Sequence, residues 1–248
     1  LRELGDVEFK IFEKTESKEA LSELEEFLQF HTERWPQAYK APEFHLHLLE
    51  DCLSKGVLHF SVIRFRGKCM SWRLNFADKS RFYSYMPAIN PDYQQFSPGK
   101  LHLLLCIEDA ISKGIAVYDQ LRGNESYKNE WTNYSDDVYT VEWSKKSNAE
   151  LLNNLFTDTK ELLSQLRASG KKTKKSVTHK TNTWQFEWIT DWEAIYAADF
   201  QQQWKEWYDK AELSHVFIHP AMAMVWIDTY KPIRNLKPLF CIARNKDI

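Results

Sequence analysis

Four residues with proton-transfer or anion-binding chemistry fall within ten positions of one another: Asp119, Arg122, Tyr127 and Lys128. A carboxylate can orient an amine or accept its proton, and a phenol can give a proton to a leaving group. The two cations suit an anionic acceptor or a developing oxyanion. The plainer alternative is that Asp119 caps a turn and Tyr127 covers the core. A second group stands upstream, where Gln94, Gln95, Ser97, Gly99 and Lys100 surround an expected helix start. Unpaired N–H groups and the positive dipole end favour phosphate there, Gly99 allows close backbone approach, and Lys100 adds a point charge. The alternative is that Ser97-Pro98-Gly99 is simply a good helix start.

The elements between these groups explain why they should meet. Ser97 can cap a helix with Pro98 in its first turn. Leu101, Leu103, Leu104, Leu105, Cys106, Ile107, Ala110 and Ile111 leave almost no polar face, which predicts a helix covered on most sides. Gly114 stops it, and Ile115 to Tyr118 reads as an interior strand that ends at Asp119. A buried helix followed by a strand with a polar end places a site at the carboxyl end of a sheet.

Earlier residues supply the rest of that sheet. Val7, Phe9 and Ile11 alternate with polar residues as a strand, and helices follow at residues 20–35 and 42–53. Val57 to Phe65 and Cys69 to Phe76 form a hairpin through Arg66-Gly67-Lys68, and Arg81 to Ile89 returns as a third strand. Pro87 removes a ladder donor, so pairing should fail or bulge there. A short helix near Tyr127 and a strand over Asp137 to Trp143 follow.

This order resembles the GNAT superfamily of N-acyltransferases over roughly residues 1 to 143. At residue level it is similar to the CelD/BcsL-type acyltransferases of polysaccharide biosynthesis, which are related to the FemAB-type enzymes. The match lies in HTERW (31–35), SPG (97–99), IEDAISKG (107–114) and YDQLRGNESYKNEW (118–131). The resemblance implies an α+β GNAT-like fold, a mixed central sheet flanked by helices. It also implies an acyltransferase taking acetyl-CoA or a longer acyl-CoA as co-substrate, without a metal. The donor pyrophosphate would lie at Gln94, Gln95, Ser97, Gly99 and Lys100, and catalysis would fall to Asp119, Tyr127, Lys128 and Arg122. The acceptor would be an amine or hydroxyl of a sugar, polysaccharide or cell-envelope precursor. An aminoacyl-tRNA donor and an inactive GNAT-like binding module are the alternatives.

Residues 149–166 read as an amphipathic helix, and 167–180 as a basic, solvated linker in preference to a nucleic-acid arm. From Trp184 the strand, helix, helix, strand order restarts, with Thr190 and Glu193 as a capping box and the tryptophans spaced for a core. We therefore expect a domain over 1–146, a helix and linker over 147–182, and the truncated start of a second GNAT-like domain over 183–248 that packs intramolecularly. His215 and His219 suggest a surface loop rather than a metal pair, and His45 and His47 an exposed helix face.

The 248 residues carry a net charge of −2, with 27% charged and 43% hydrophobic residues. That balance offers no general electrostatic footprint for DNA. No apolar run reaches membrane-span length, and Cys52, Cys69, Cys106 and Cys241 show no metal-type spacing. A cytoplasmic location fits these features, and the resemblance suggests contact with membrane-bound biosynthetic machinery. The first residue, Leu1, and the strand-like end suggest a fragment.

Overall fold

The computed structural model describes residues 5–36, 43–78, 81–139, 184–212 and 214–245. Its centre is a five-stranded mixed sheet in the order β1-β2-β3-β4-β5, flanked by helices, an α+β architecture as the element order implies. The strands are β1 (Val7–Ile11), β2 (Leu58–Phe65), β3 (Lys68–Asp78), β4 (Arg81–Ile89) and β5 (Val117–Asp119). β1 to β4 pair antiparallel, and β5 joins β4 in parallel. Arg66 and Gly67 both take positive φ, 52° and 76°, which is what a two-residue turn between right-twisted strands requires.

Period-two alternation gives the sheet two different faces. Phe60, Val62, Trp72, Leu74 and Phe76 join the main core with Leu24 and Phe27 of α1 (Ser17–Arg34) and Leu48, Leu49 and Leu53 of α2 (Glu43–Leu53). The other face lies under α3 (Pro98–Ser112), where a small apolar cluster of Ile63, Phe65 and Met70 packs with Leu101 and Leu105 beside a set of buried polar residues. His102 sits between Ser61 of β2 (2.9 Å) and Ser71 of β3 (2.9 Å), and Ser71 donates on to the carbonyl of Ala88 (3.3 Å). His59 reaches Asp109 at 3.3 Å, and Cys106 borders Ser61. Burial opposes the charge on Asp109, but bonds from His59 and Lys113 outweigh it and hold the carboxyl below its usual value.

Several local expectations are corrected. The buried stripe of α3 is Pro98, His102, Leu103, Cys106 and Ala110, while Leu104 and Ile111 are 38% and 69% exposed. Pro98, His102, Cys106 and Ala110 recur at four-residue spacing along the sheet-facing side, so Leu104 and Ile111 fall outside it. β5 is an edge strand of the described sheet, not an interior one, and Val117 is exposed. Pro87 keeps its place opposite Arg73; the irregularity lies between Leu74 and Phe76, where Ser84 and Tyr85 together oppose Asn75. An extra residue on β4 makes this a bulge. Residues 137–139 form no strand, and the rest of that expected strand, the helix over 149–166 and the basic linker lie outside the described residues.

The later elements are β6 (Trp184–Ile189), α5 (Trp192–Tyr196), α6 (Ala198–Lys210), α7 (Pro220–Arg234) and β7 (Phe240–Asn245), with β6 and β7 paired in a separate two-stranded sheet. The helical spacing of Trp192, Ile195, Tyr196, Phe200, Trp204 and Trp207 is interrupted at Ala197, whose ψ of 134° is extended. Asp191, not Thr190, caps α5, accepting from the N–H of Ala194. Trp184, Trp188 and Trp226 are exposed rather than core. Residues 1–128 and 187–242 form one compact unit, and 129–186 with 243–248 another. Within the first unit α7 lies against α2, and Val216, Met222 and Val225 enter the main core. No described helix is long and apolar enough to cross a membrane.

Candidate active site

Two residue groups lie at the two ends of the stretch of β4 that β5 leaves unpaired. The β4–β5 pairing is short: Arg81 faces Val117, Phe82 faces Tyr118 and Tyr83 faces Asp119, and there it stops. Beyond Tyr83, β4 runs through its bulge to Ile89 without β5 beside it. From Ser84 onward that edge of β4 pairs with no described strand, which leaves main-chain groups that a ligand could bond.

The first group lies just past the end of β4. Gln94 and Gln95 belong to a 3-10 turn, Pro91–Phe96, and are exposed, as are Ser97 and Lys100. Ser97 does not cap α3 with its side chain. It is left-handed at φ 50° and ψ 50°, outside the extended region a capping side chain needs. Its carbonyl accepts from Lys100 (3.0 Å) and Leu101 (3.2 Å), and its own N–H donates to Gln94. Pro98 has no N–H, which leaves the Gly99 amide as the first-turn donor without an acceptor among the described residues. Gly99 lies close to β4, since a Cβ there would meet Ile89 Cδ1 at 2.7 Å.

The second group follows β5. Asp119 Oδ1 accepts from the N–H of Leu121 (2.8 Å), and Oδ2 accepts from Arg81 (3.4 Å), so the carboxylate both closes a turn and holds a cation. Leu121 and Gly123 take positive φ in that turn. Lys128 Nζ donates to the carbonyl of Arg122 (2.9 Å) and pairs with Glu125 (2.9 Å), drawing the loop closed on α4 (Ser126–Asn129). Arg122 is exposed, and Tyr127 is half-buried on α4. The structure thus gathers Asp119, Arg122, Tyr127 and Lys128 in one turn and helix, with Asp119 and Lys128 already engaged there.

Other residues at this place escaped notice in the sequence. Arg73 of β3 donates to Ser84 Oγ in the bulge (2.9 Å) and to the carbonyl of Gly99 (3.3 Å), tying the start of α3 to β4. In SWRLNF, Ser71, Arg73 and Asn75 alternate with apolar residues and look like a solvent face; only α3 makes that face interior. On the opposite sheet face, the His215 ring lies tilted against Tyr83 with centroids 4.7 Å apart, and Tyr83 donates to the carbonyl of Ser214 (3.3 Å). Burial lowers the His215 pKa, with the charge of Asp119 acting against that shift. His219, expected on a surface loop, is buried and caps α7 through Nδ1. His45 is likewise buried, near Tyr85, and desolvation takes its pKa down to about 4.

The described cluster with metal-type donors, Glu23, Glu26 and Cys69, is otherwise occupied. Glu23 pairs with Arg64 and accepts from Trp72 Nε1 (3.1 Å) and Cys69 (3.1 Å).

Residues 1–129 match the model of the acetyltransferase (GNAT) domain family, and the chain belongs to that family. It is an acyltransferase of the GNAT type. Similar solved structures include an aminoglycoside acetyltransferase from an uncultured soil metagenomic sample, in complex with trehalose, at 13% identity and TM-score 0.43, covering 56% of this chain and 97% of that one. The ribosomal-protein-S18-alanine N-acetyltransferase of Escherichia coli has 16% identity and TM-score 0.37, over 50% of this chain and 73% of that one. No curated protein matches the chain.

Proposed function

We propose that this protein transfers an acyl group from acetyl-CoA or a longer acyl-CoA to an amine or hydroxyl of a sugar, polysaccharide or cell-envelope precursor. One observation carries the reading: β4–β5 pairing ends at Tyr83 and Asp119, beside a bulge, with the start of α3 at the far end of the same strand. A thioester arm lying along the unpaired stretch of β4 would have its phosphates at Gln94, Gln95, Ser97, Gly99 and Lys100 and its carbonyl near the bulge. Helix-end N–H groups and the dipole favour phosphate at that end.

The acceptor nitrogen attacks the thioester carbon, the C–S bond breaks, and sulfur leaves as a thiolate. Asp119 is the group to orient the amine or take its proton, exchanging one of its present bonds to do so. Tyr127 is the group to protonate the thiolate. Lys128 and Arg122 shape the loop and present positive charge to an anionic acceptor. Tyr83 and His215 border the acceptor side.

The CelD/BcsL-like assignment, the FemAB-related tandem arrangement and a cytoplasmic location belong to this same proposal. β6 pairs with β7 across an intervening helical segment, as β1 pairs with β2 across α1 and α2, which supports a repeated unit from about residue 183. A second reading is a GNAT-like binding module without activity, favoured by the engagement of both Asp119 oxygens and of Lys128. Calorimetry with acetyl-CoA and longer acyl-CoAs, followed by thiol release in the presence of an amino sugar, separates the two. Binding with turnover supports the enzyme, binding alone supports the module, and no binding refutes a CoA donor.

A further inference from the structure

The α3-facing side of β3 presents Ser71, Arg73 and Asn75 in succession, and only Ser71 is fully satisfied. Arg73 is 4% exposed, and its Nε–H has no acceptor beyond the two bonds made by its terminal nitrogens. Asn75 is 0% exposed, and neither its amide nitrogen nor its amide oxygen has a partner. Tyr118 of β5 keeps its hydroxyl buried as well, within reach of the Ser84 hydroxyl. Among the described residues no carboxylate pairs with Arg73.

Strand register brings these atoms to one place. Asn75 stands opposite the Ser84–Tyr85 bulge, Arg73 donates to Ser84, and Tyr118 faces Phe82, two residues before Ser84, with its ring stacked on Phe82 at 4.8 Å. Three kinds of donor and one amide acceptor therefore converge beside the end of the β4–β5 pairing. A guanidinium does not shed its proton, and a buried cation without a counter-ion is costly. The group that answers this set is a carboxylate, which brings the missing negative charge and several lone pairs in the planar geometry a guanidinium matches. An aminoacyl group would instead bring an ammonium towards Arg73.

We propose that Arg73, Asn75 and Tyr118 receive the carboxylate end of the acyl group, so that the donor is the thioester of a short dicarboxylic acid such as succinyl-CoA. This rests on the acyl-CoA reading above and narrows its substrate. The transferred bond is the same: nitrogen bonds to the thioester carbon, the C–S bond breaks, the thiolate takes up a proton, and the distal carboxylate passes through unchanged.

The test is calorimetry on the whole chain with acetyl-CoA, butyryl-CoA and succinyl-CoA. Butyryl and succinyl have equal carbon counts and differ in a terminal methyl against a carboxylate. Succinyl-CoA should bind about tenfold tighter than butyryl-CoA, the order expected of charge-assisted hydrogen bonds. Arg73→Gln and Tyr118→Phe should each shrink that ratio several-fold, with thermal melting run alongside to show a folded protein. Should Arg73→Gln fail to fold, Tyr118→Phe, which removes a single oxygen, carries the test. Butyryl-CoA binding as tightly as succinyl-CoA overturns the inference and leaves the acyl-CoA reading standing, whereas no binding of any of the three overturns both.

Discussion

Acid should loosen this fold well before its carboxylates titrate, in part at the helix that bears the proposed donor site and in part at α2. His102 joins α3 to β2 and β3 through two serine hydroxyls, and complete burial holds its pKa well below the ordinary 6.5, with Arg73 and His59 nearby adding positive charge. His45, desolvated beside Tyr85, is down to about 4. The unfolded chain takes a proton on each near pH 6.5 and the folded chain does not. Their contribution is therefore full above that value and lost as pH falls towards the folded pKa. Each pH unit below 6.5 costs about 1.36 kcal/mol per histidine, so lowering pH from 7.5 to about 5 removes about 2 kcal/mol for each. About 4 kcal/mol for the pair is a large part of an ordinary domain's stability. Urea unfolding at pH 7.5, 6.5, 5.5 and 5.0 measures the loss. His102→Gln, whose amide can still bond both serines without taking a proton, should be less stable at pH 7.5 yet lose about 2 kcal/mol less on acidification. An unchanged pH dependence in that variant would refute the reasoning.

Asp119→Asn should lower thiol release with an amino-sugar acceptor by about a hundredfold or more, while acetyl-CoA still binds by calorimetry. Gly123→Ala should lower activity, because φ there is 135°, a conformation that L side chains rarely adopt, and the new Cβ would displace the carboxylate of Glu125 and the ammonium of Lys128 from their present places; unchanged activity in Gly123→Ala with no loss of melting temperature would contradict this. Phe27→Ala, at a fully buried core position, should cost about 3–5 kcal/mol in chemical denaturation. Gly99→Val should weaken acetyl-CoA binding, since the β-branched side chain must push Ile89 aside and shift the first turn of α3; unchanged affinity would argue against a donor at that turn.

Much of the fold was legible because it is written in short-range pattern. Alternation in β1 to β4, helical spacing in α1 and α2, and the Arg66-Gly67 turn are local properties, and each formed as its spacing suggested. The donor group at Gln94 to Lys100 and the loop group at Asp119 to Lys128 were also visible, since proline, glycine and charge punctuate the chain there. What the spacing could not reveal was which side of an element would be covered. α3 reads as apolar nearly all round, yet the stripe it buries is Pro98, His102, Leu103, Cys106 and Ala110, and it leaves Ile111 outside.

The sequence by itself determined the order of elements, the antiparallel meander, and the two segments that could hold a donor and an acid or base. Tertiary structure alone decided that Arg73 and Asn75 are interior, because α3, from far along the chain, covers the face on which they alternate. It alone brought His215 onto Tyr83 across more than a hundred residues. It also gave Asp119 its partner Arg81, from β4. The physical reason is common to all three: burial and pairing belong to contacts between distant segments, which periodicity within one segment does not encode.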